Sequence, residues 1–468
     1  MISKKLLLTL CLVAPALFGS AQKAGKGGIS EEMLQQIRQS QPTGTATAAL
    51  RNALAGTPIQ KLAANPNNPE ANDTYFSNTV PSKGITDQHS SGRCWLFTGM
   101  NVMRAKAIKK FNLGEFQFSQ SYSFFYDQLE KSNLFLQTVI DHANEPMDSE
   151  MVQWLFKNPL SDGGTFCGVI DAISKYGIVP AEVMPESFSA NNTSTMASII
   201  TLKLREYGLK LRKMVAEGKK ASEIEKAKTE MLGTIYHILT ISLGEPVKEF
   251  TWTRRDASGK PVETKTYTPK SFYDEYVGKD LKNSYVMLMN DPSRPFHKTY
   301  TVDMDRHSYD GIQWTYINLP MDEIKAMAMA SIKDSVMMYF SCDVGKFLNS
   351  KTGILSLKNF DYASLFDTDF PMNKAERIQT FASASSHAMT LMGVDIDKDG
   401  KSTKWMVENS WGPTHGHHGH LIMTDEWFDE YMFRLVVDKK YVPAETLKLL
   451  KQKPIVLPAW DPLFAPEQ

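Results

Sequence analysis

Residues 86–95 read Thr86-Asp87-Gln88-His89-Ser90-Ser91-Gly92-Arg93-Cys94-Trp95. The stretch before Cys94 is polar and contains glycine, so it cannot be helical throughout. After it, Leu96, Met100, Met103 and Ala107 recur at helical spacing, which predicts a buried helix with Cys94 in its first turn. The positive end of that helix, with its unpaired N–H groups, favours thiolate over thiol. A thiolate is a nucleophile, and the backbone N–H of Cys94 can donate to a developing oxyanion. Gln88, upstream in the same loop, can supply a second donor from its side-chain amide.

A thiolate needs an imidazolium partner, and the far end of the chain offers one. His387 opens an expected strand, His387-Ala388-Met389-Thr390-Leu391, and Asn409 follows the next, in Glu408-Asn409-Ser410-Trp411-Gly412. Ala388 to Val394 and Lys404 to Glu408 flank the polar turn Asp397-Lys398-Asp399-Gly400-Lys401 and read as a β-hairpin. Neighbouring strands put His387 and Asn409 on one face, where the amide can orient the ring and Trp411 can cover their hydrogen bond. Singly, Cys94 would be a buried thiol, His387 a core histidine and Asn409 a turn residue. Jointly, with Gln88 and Trp411 at their offsets, they make a nucleophile, a base and an orienting group.

These three segments resemble the signatures of papain-like cysteine peptidases. Further stretches resemble the bleomycin hydrolase or aminopeptidase C family: Phe118-Ser119-Gln120-Ser121-Tyr122, Cys342-Asp343-Val344-Gly345-Lys346, Thr424-Asp425-Glu426-Trp427-Phe428 and Leu457-Pro458-Ala459-Trp460-Asp461-Pro462. The resemblance implies an α+β, two-lobed fold, a helical lobe plus a β-barrel-like lobe, with a large helical insertion. The insertion accounts for the spacing of Cys94 and His387, 387 − 94 = 293 positions, against about 130–150 in the compact papain signature. It further implies a nucleophile at Cys94, a general base and acid at His387, an orienting Asn409 and an oxyanion donor at Gln88. Asp162-Gly163-Gly164 matches the family segment lining the substrate cleft, although by itself it reads equally as an Asp-Gly turn. Trp411 joins it among the expected substrate contacts. A C-terminal tail ending at Gln468 would lie in the cleft and face the free α-amine of a peptide, making the activity that of an aminopeptidase. Members form homohexamers, so a homo-oligomer is expected. No cofactor or metal is implied.

The expected organisation is a signal peptide over 1–21, an arm or linker over 22–75 and a helical lobe over 76–194. An inserted, mainly helical region follows over 195–330, then a β-rich lobe over 331–453 and the tail over 454–468. Lys4 and Lys5 before an apolar run, with Gly19-Ser20-Ala21 after it, have the form of a secretory signal cut after Ala21. That predicts an exported protein, periplasmic or secreted, with no membrane association once the signal is removed. The chain has 468 residues, 52 Lys+Arg and 52 Asp+Glu. Losing Lys4 and Lys5 takes the formal charge from 0 to 0 − 2 = −2, which gives nucleic-acid binding no overall support. Cys11 leaves with the signal; Cys167 and Cys342 read as buried, inert thiols.

Two rival readings come from other classes. His415, His417, His418 and His420 alternate in a Gly-rich loop and could bind Zn²⁺ or Cu²⁺, but no carboxylate or thiol lies at typical ligand spacing. A catalytically silent, peptide-binding member is the other, though every expected catalytic position is filled.

Overall fold

A computed structural model describes residues 26–70 and 72–464. The expected signal peptide, Cys11 and Gln468 lie outside the described residues. The chain divides at Ala63–Ala64 into two compact units. Among its described residues the first holds the helices Glu31–Gln39, Thr45–Gly56 and Ile59–Ala63. Ser30 caps the first of these, its hydroxyl accepting the Met33 N–H at 3.1 Å, and Glu31 and Glu32 face the helix's positive end. The stretch expected as an arm or linker is thus helical in three places among its described residues. In Thr45–Gly56 the helix preference of Ala and Leu outweighs the Gly, Thr and Asn content that reads as linker.

The second unit opens its helical lobe with Cys94–Phe111, followed by Gln120–Asp141, Glu150–Lys157 and Phe166–Tyr176. Every residue from Trp95 to Arg104 is buried, so this first helix is wrapped on all sides rather than laid on a surface. Gly99 permits that: a Cβ there would lie 2.6 Å from Val169 Cγ2, where the Phe166–Tyr176 helix crosses. Two long helices, Ser194–Ala216 and Ala221–Leu243, then pack against Gln120–Asp141 through Ile200, Leu204, Leu211, Ile235 and Leu239.

In the region expected to be mainly helical over 195–330, the long helical pair ends at Leu243, and the helices Pro269–Tyr276, Leu281–Ser284 and Met321–Lys333 alternate with strands after it. Phe250–Arg255 and Pro261–Tyr267 form a two-stranded hairpin, and Tyr285–Met289, Lys298–Val302 and Tyr316–Asn318 enter the main sheet. Tyr285-Val286-Met287-Leu288-Met289 is an unbroken apolar run buried at every position, with no alternation to separate strand from helix. The main sheet has twelve strands, running through Tyr285–Met289, Met432–Asp438, Met338–Cys342, His387–Ile396, Ser402–Glu408 and His420–Thr424 at its centre. The expected hairpin is present: Thr390 pairs with Glu408 and Ile396 with Ser402. Asn78 and Thr79 add a short strand against Val394 and Gly393, so the polypeptide leading to Cys94 starts in the β lobe. No helix among the described residues is long and apolar enough to cross a membrane.

One buried ion pair ties the lobes together. Arg104 Nη2 donates to Glu408 Oε1 at 2.6 Å and to the Gly84 carbonyl at 3.2 Å, while Ser82 Oγ donates to Glu408 Oε2. Both charged side chains are almost fully buried. Removing one partner from such a pair strands the other charge, so Arg104→Met should lower the unfolding free energy by about 3–5 kcal/mol. Denaturant unfolding measures this, and Arg104→Met combined with Glu408→Gln should be less destabilised than Arg104→Met alone.

Candidate active site

The loop before Cys94 is held by groups remote in sequence. Gln88 N–H donates to the Ser410 carbonyl at 2.8 Å, and Gly412 N–H to the Thr86 carbonyl at 3.1 Å. His89 turns the chain in the left-handed region at φ 50°, its N–H bonded to Asp87 Oδ1. Gly92 N–H donates to Asp162 Oδ2 at 2.7 Å, and a Cβ at 92 would collide with that carboxylate. Arg93 is fully buried, paired with Glu186 at 2.7 Å and flanked by the rings of Phe97 and Phe124. The segment that follows Asn409 therefore docks on the segment that precedes Cys94.

Cys94 is the first residue of its helix and half-buried. It lines a cleft of about 460 Å³ together with Asp162, Gly163, Gly164 and His387. His387, the first residue of its strand, is buried; its Nε2 lies 2.9 Å from Asn409 Oδ1. The Ser410 N–H donates to the same Oδ1 at 2.8 Å, which fixes that atom as an acceptor. Nε2 therefore carries a proton, and Nδ1 is left to accept one. The Trp411 ring lies 4.9 Å from the imidazole, tilted by 30°. Burial pushes His387 down to about 4, against an upward pull from Asn409. An imidazolium here needs an anion beside it, and a sulfur in the same cleft is the group able to supply one.

Gln88 is held within the loop that precedes Cys94. Its Nε2 donates to the Ser91 carbonyl at 2.6 Å and its Oε1 accepts from Ser410 Oγ at 2.6 Å, so the amide is locked at both ends. Gln88 is buried under the loop and is not among the residues lining the cavity. One N–H of the amide is committed, which leaves the second as the donor available to an oxyanion. Asp162 is more than a turn residue, because its carboxylate caps the Gly92 N–H and accepts from Thr193 Oγ1.

Cys167 and Cys342 are fully buried, and burial holds both thiols well above their ordinary range. The histidine loop is a tight turn with Gly416, His418 and Gly419 at positive φ. Among the described residues no three His, Cys, Asp or Glu side chains are placed to hold a metal. Sequence reasoning missed Lys131, His307, Tyr339, Ser385, Arg434 and Phe464, which also line the cleft. They come from helix, loop and strand segments that only the fold brings together. Phe464 alone lay in a region, the tail, that was expected there.

The profile of the Peptidase C1-like family matches residues 28–464. Bleomycin hydrolase of Homo sapiens is 44% identical over 402 residues, covering 83% of this chain and 88% of that protein. Aminopeptidase C of Lactobacillus delbrueckii subsp. lactis is 38% identical over 398 residues, covering 84% and 88%. The crystal structure of pepw from Lactobacillus rhamnosis superposes with a TM-score of 0.90 at 37% identity, covering 94% of this chain and all of that one.

The depressed His387 carries a pH signature. A neutral buried ring contributes stability that is present above its unfolded value of about 6.5 and lost as pH falls through the folded value. In Cys94→Ala protein, with no sulfur anion near the ring, His387 should titrate near 4 when followed by NMR. A midpoint of about 6 or higher would mean that the ring is hydrated, contrary to its burial.

Proposed function

This chain belongs to the Peptidase C1-like family and is a papain-like, α+β cysteine aminopeptidase of the bleomycin hydrolase type, and on that premise we propose which residues do the work. Cys94 is the nucleophile: its thiolate adds to the scissile carbonyl, forming the C–S bond. His387 donates its proton from Nδ1 to the departing amine as the C–N bond breaks, then takes a proton from the water that hydrolyses the thioester. Asn409 holds the ring by Nε2, and Trp411 shields that bond. The Cys94 backbone N–H and the uncommitted N–H of Gln88 receive the oxyanion. Asp162, Gly163 and Gly164 line the path of the peptide. The observation that carries this reading is that Cys94 and His387, 293 positions apart, line one cleft with the imidazole fixed from behind by Asn409.

The preference for a free N-terminus is assigned to the tail. Ile455–Leu457 pairs in parallel with Lys298–Val302, Leu463 is buried against Ile378 and Phe433, and Phe464 reaches the cleft. The chain beyond Phe464, which lies outside the described residues, would carry its carboxylate to the substrate's α-ammonium; the two attract each other near neutral pH. The substrates are peptides with free N-termini, and no nucleic acid partner is invoked. A homo-oligomer, six subunits by resemblance, is supported by apolar side chains left exposed on and beside the two long helices, among them Phe188, Leu202 and Ile241. Export to the periplasm or medium rests on the N-terminal signal pattern alone.

Cys94→Ser should abolish hydrolysis of aminoacyl fluorogenic amides, and the wild type should leave their N-acetylated forms intact. Cleavage that survives Cys94→Ser would sink the assignment. Deleting Phe464–Gln468 should let N-blocked peptides be cut internally, read by mass spectrometry of the products; an unchanged demand for a free amine would remove the tail from the mechanism.

A further inference from the structure

Residues 161–165 form one wall of the cleft without any regular secondary structure. Gly163 and Gly164 have no side chains, so what this stretch offers the cleft is main chain. Irregular backbone is ordinarily loose, yet here it is tied at position after position. The Ser161 carbonyl accepts from Gln128 Nε2 and from Lys131 Nζ, both at 3.0 Å. The Asp162 carbonyl accepts from Trp95 Nε1 at 2.8 Å and that of Gly163 from Lys131 Nζ at 2.6 Å. The Thr165 N–H donates to His307 Nε2 at 3.2 Å.

Two of these partners, the donor Lys131 and the acceptor His307, share one anchor. Asp127 is completely buried; its Oδ1 lies 2.5 Å from His307 Nδ1, and its Oδ2 lies 2.9 Å from Lys131 Nζ. A carboxylate only accepts, so His307 Nδ1 must carry the proton and Nε2 must present its lone pair to Thr165. The imidazole lies directly against Gly164 and Gly168, where a Cβ on either would collide with it, and packs edge-on against Trp95 at 4.7 Å. This His–Asp pair in the cleft is not a second base, because its accepting nitrogen is occupied by a backbone amide.

We infer that Asp127, Lys131 and His307 are positioning residues that hold 161–165 in place, so that the main chain of Gly164, which none of these bonds uses, can pair with the main chain of the substrate. The inference rests on the peptidase reading above, and it separates peptide docking from the chemistry of the sulfur. Loss of an interaction that binds ground state and transition state alike raises KM and leaves kcat in place.

The test compares wild type, His307→Phe, His307→Gln and Lys131→Met on an unblocked tetrapeptide. Alongside, the rate of Cys94 alkylation by iodoacetamide is measured, a reaction that needs no peptide docking. His307→Phe keeps the ring's shape but removes the acceptor, and should raise KM roughly fivefold to tenfold, the worth of one net hydrogen bond. Its kcat and alkylation rate should stay within about twofold of wild type. His307→Gln, whose Oε1 can accept from Thr165, should recover part of the loss. Lys131→Met should raise KM in the same way, and it carries the comparison if His307→Phe does not fold. Unchanged KM in the folded variants, or an alkylation rate that falls in step with kcat, would overturn the inference. A wild type without Cys94-dependent hydrolysis would count instead against the peptidase reading.

Discussion

The contact between Arg104 and Glu408 is what makes one enzyme of two lobes. Arg104 sits on the helix that begins at Cys94; Glu408 ends the strand that delivers Asn409. Their 2.6 Å hydrogen bond crosses 304 positions of sequence inside a region closed to water. Taking two charges out of water is expensive, and a hydrophobic pair of similar volume would often be as stable. An ion pair differs from an oily contact in being directional: helix and strand meet in one register or leave a charge unpaired. Ser82 and the Gly84 carbonyl join the same pair, so the polypeptide entering the nucleophile loop is held by it as well.

Within that frame the electrostatics of the site follow from what is buried. The helix end favours an anion at Cys94. The desolvated ring of His387 disfavours a cation on its own account, with Asn409 opposing only in part. In the proposed mechanism each charge sustains the other, and proton transfer between them creates or removes both at once. Trp411 over the ring and Asn409 behind it keep the imidazole from turning its protonated nitrogen toward the sulfur.

The parts of this arrangement visible in the sequence are those encoded locally. A polar loop with glycine ahead of an apolar helical pattern marks Cys94; two short strands about a turn mark His387 and Asn409. The helix at Thr45–Gly56 was hidden because its small residues read equally as linker. The strands between 285 and 318 were hidden because a fully buried strand lacks the alternation that distinguishes strand from helix. The supports of the cleft wall were the least legible. Asp127 and Lys131 look like ordinary helix charges one turn apart, and His307 lies 180 positions from Asp127 in a loop with no pattern. Gln88 shows a subtler limit: spacing located the residue, but only the fold reveals that Ser91 and Ser410 hold its amide on both sides.

The order in which the cleft's walls occur along the chain has a consequence for biosynthesis. Sulfur, imidazole and tail enter the polypeptide at 94, 387 and 464, and the strand carrying the imidazole sits between partners made before it and after it. At about 5–20 residues per second, some 15–60 s separate synthesis of the nucleophile from synthesis of its base. A growing chain thus carries Cys94 without its proposed base for that interval. Chain order thus sets the earliest moment at which the proposed pair can assemble.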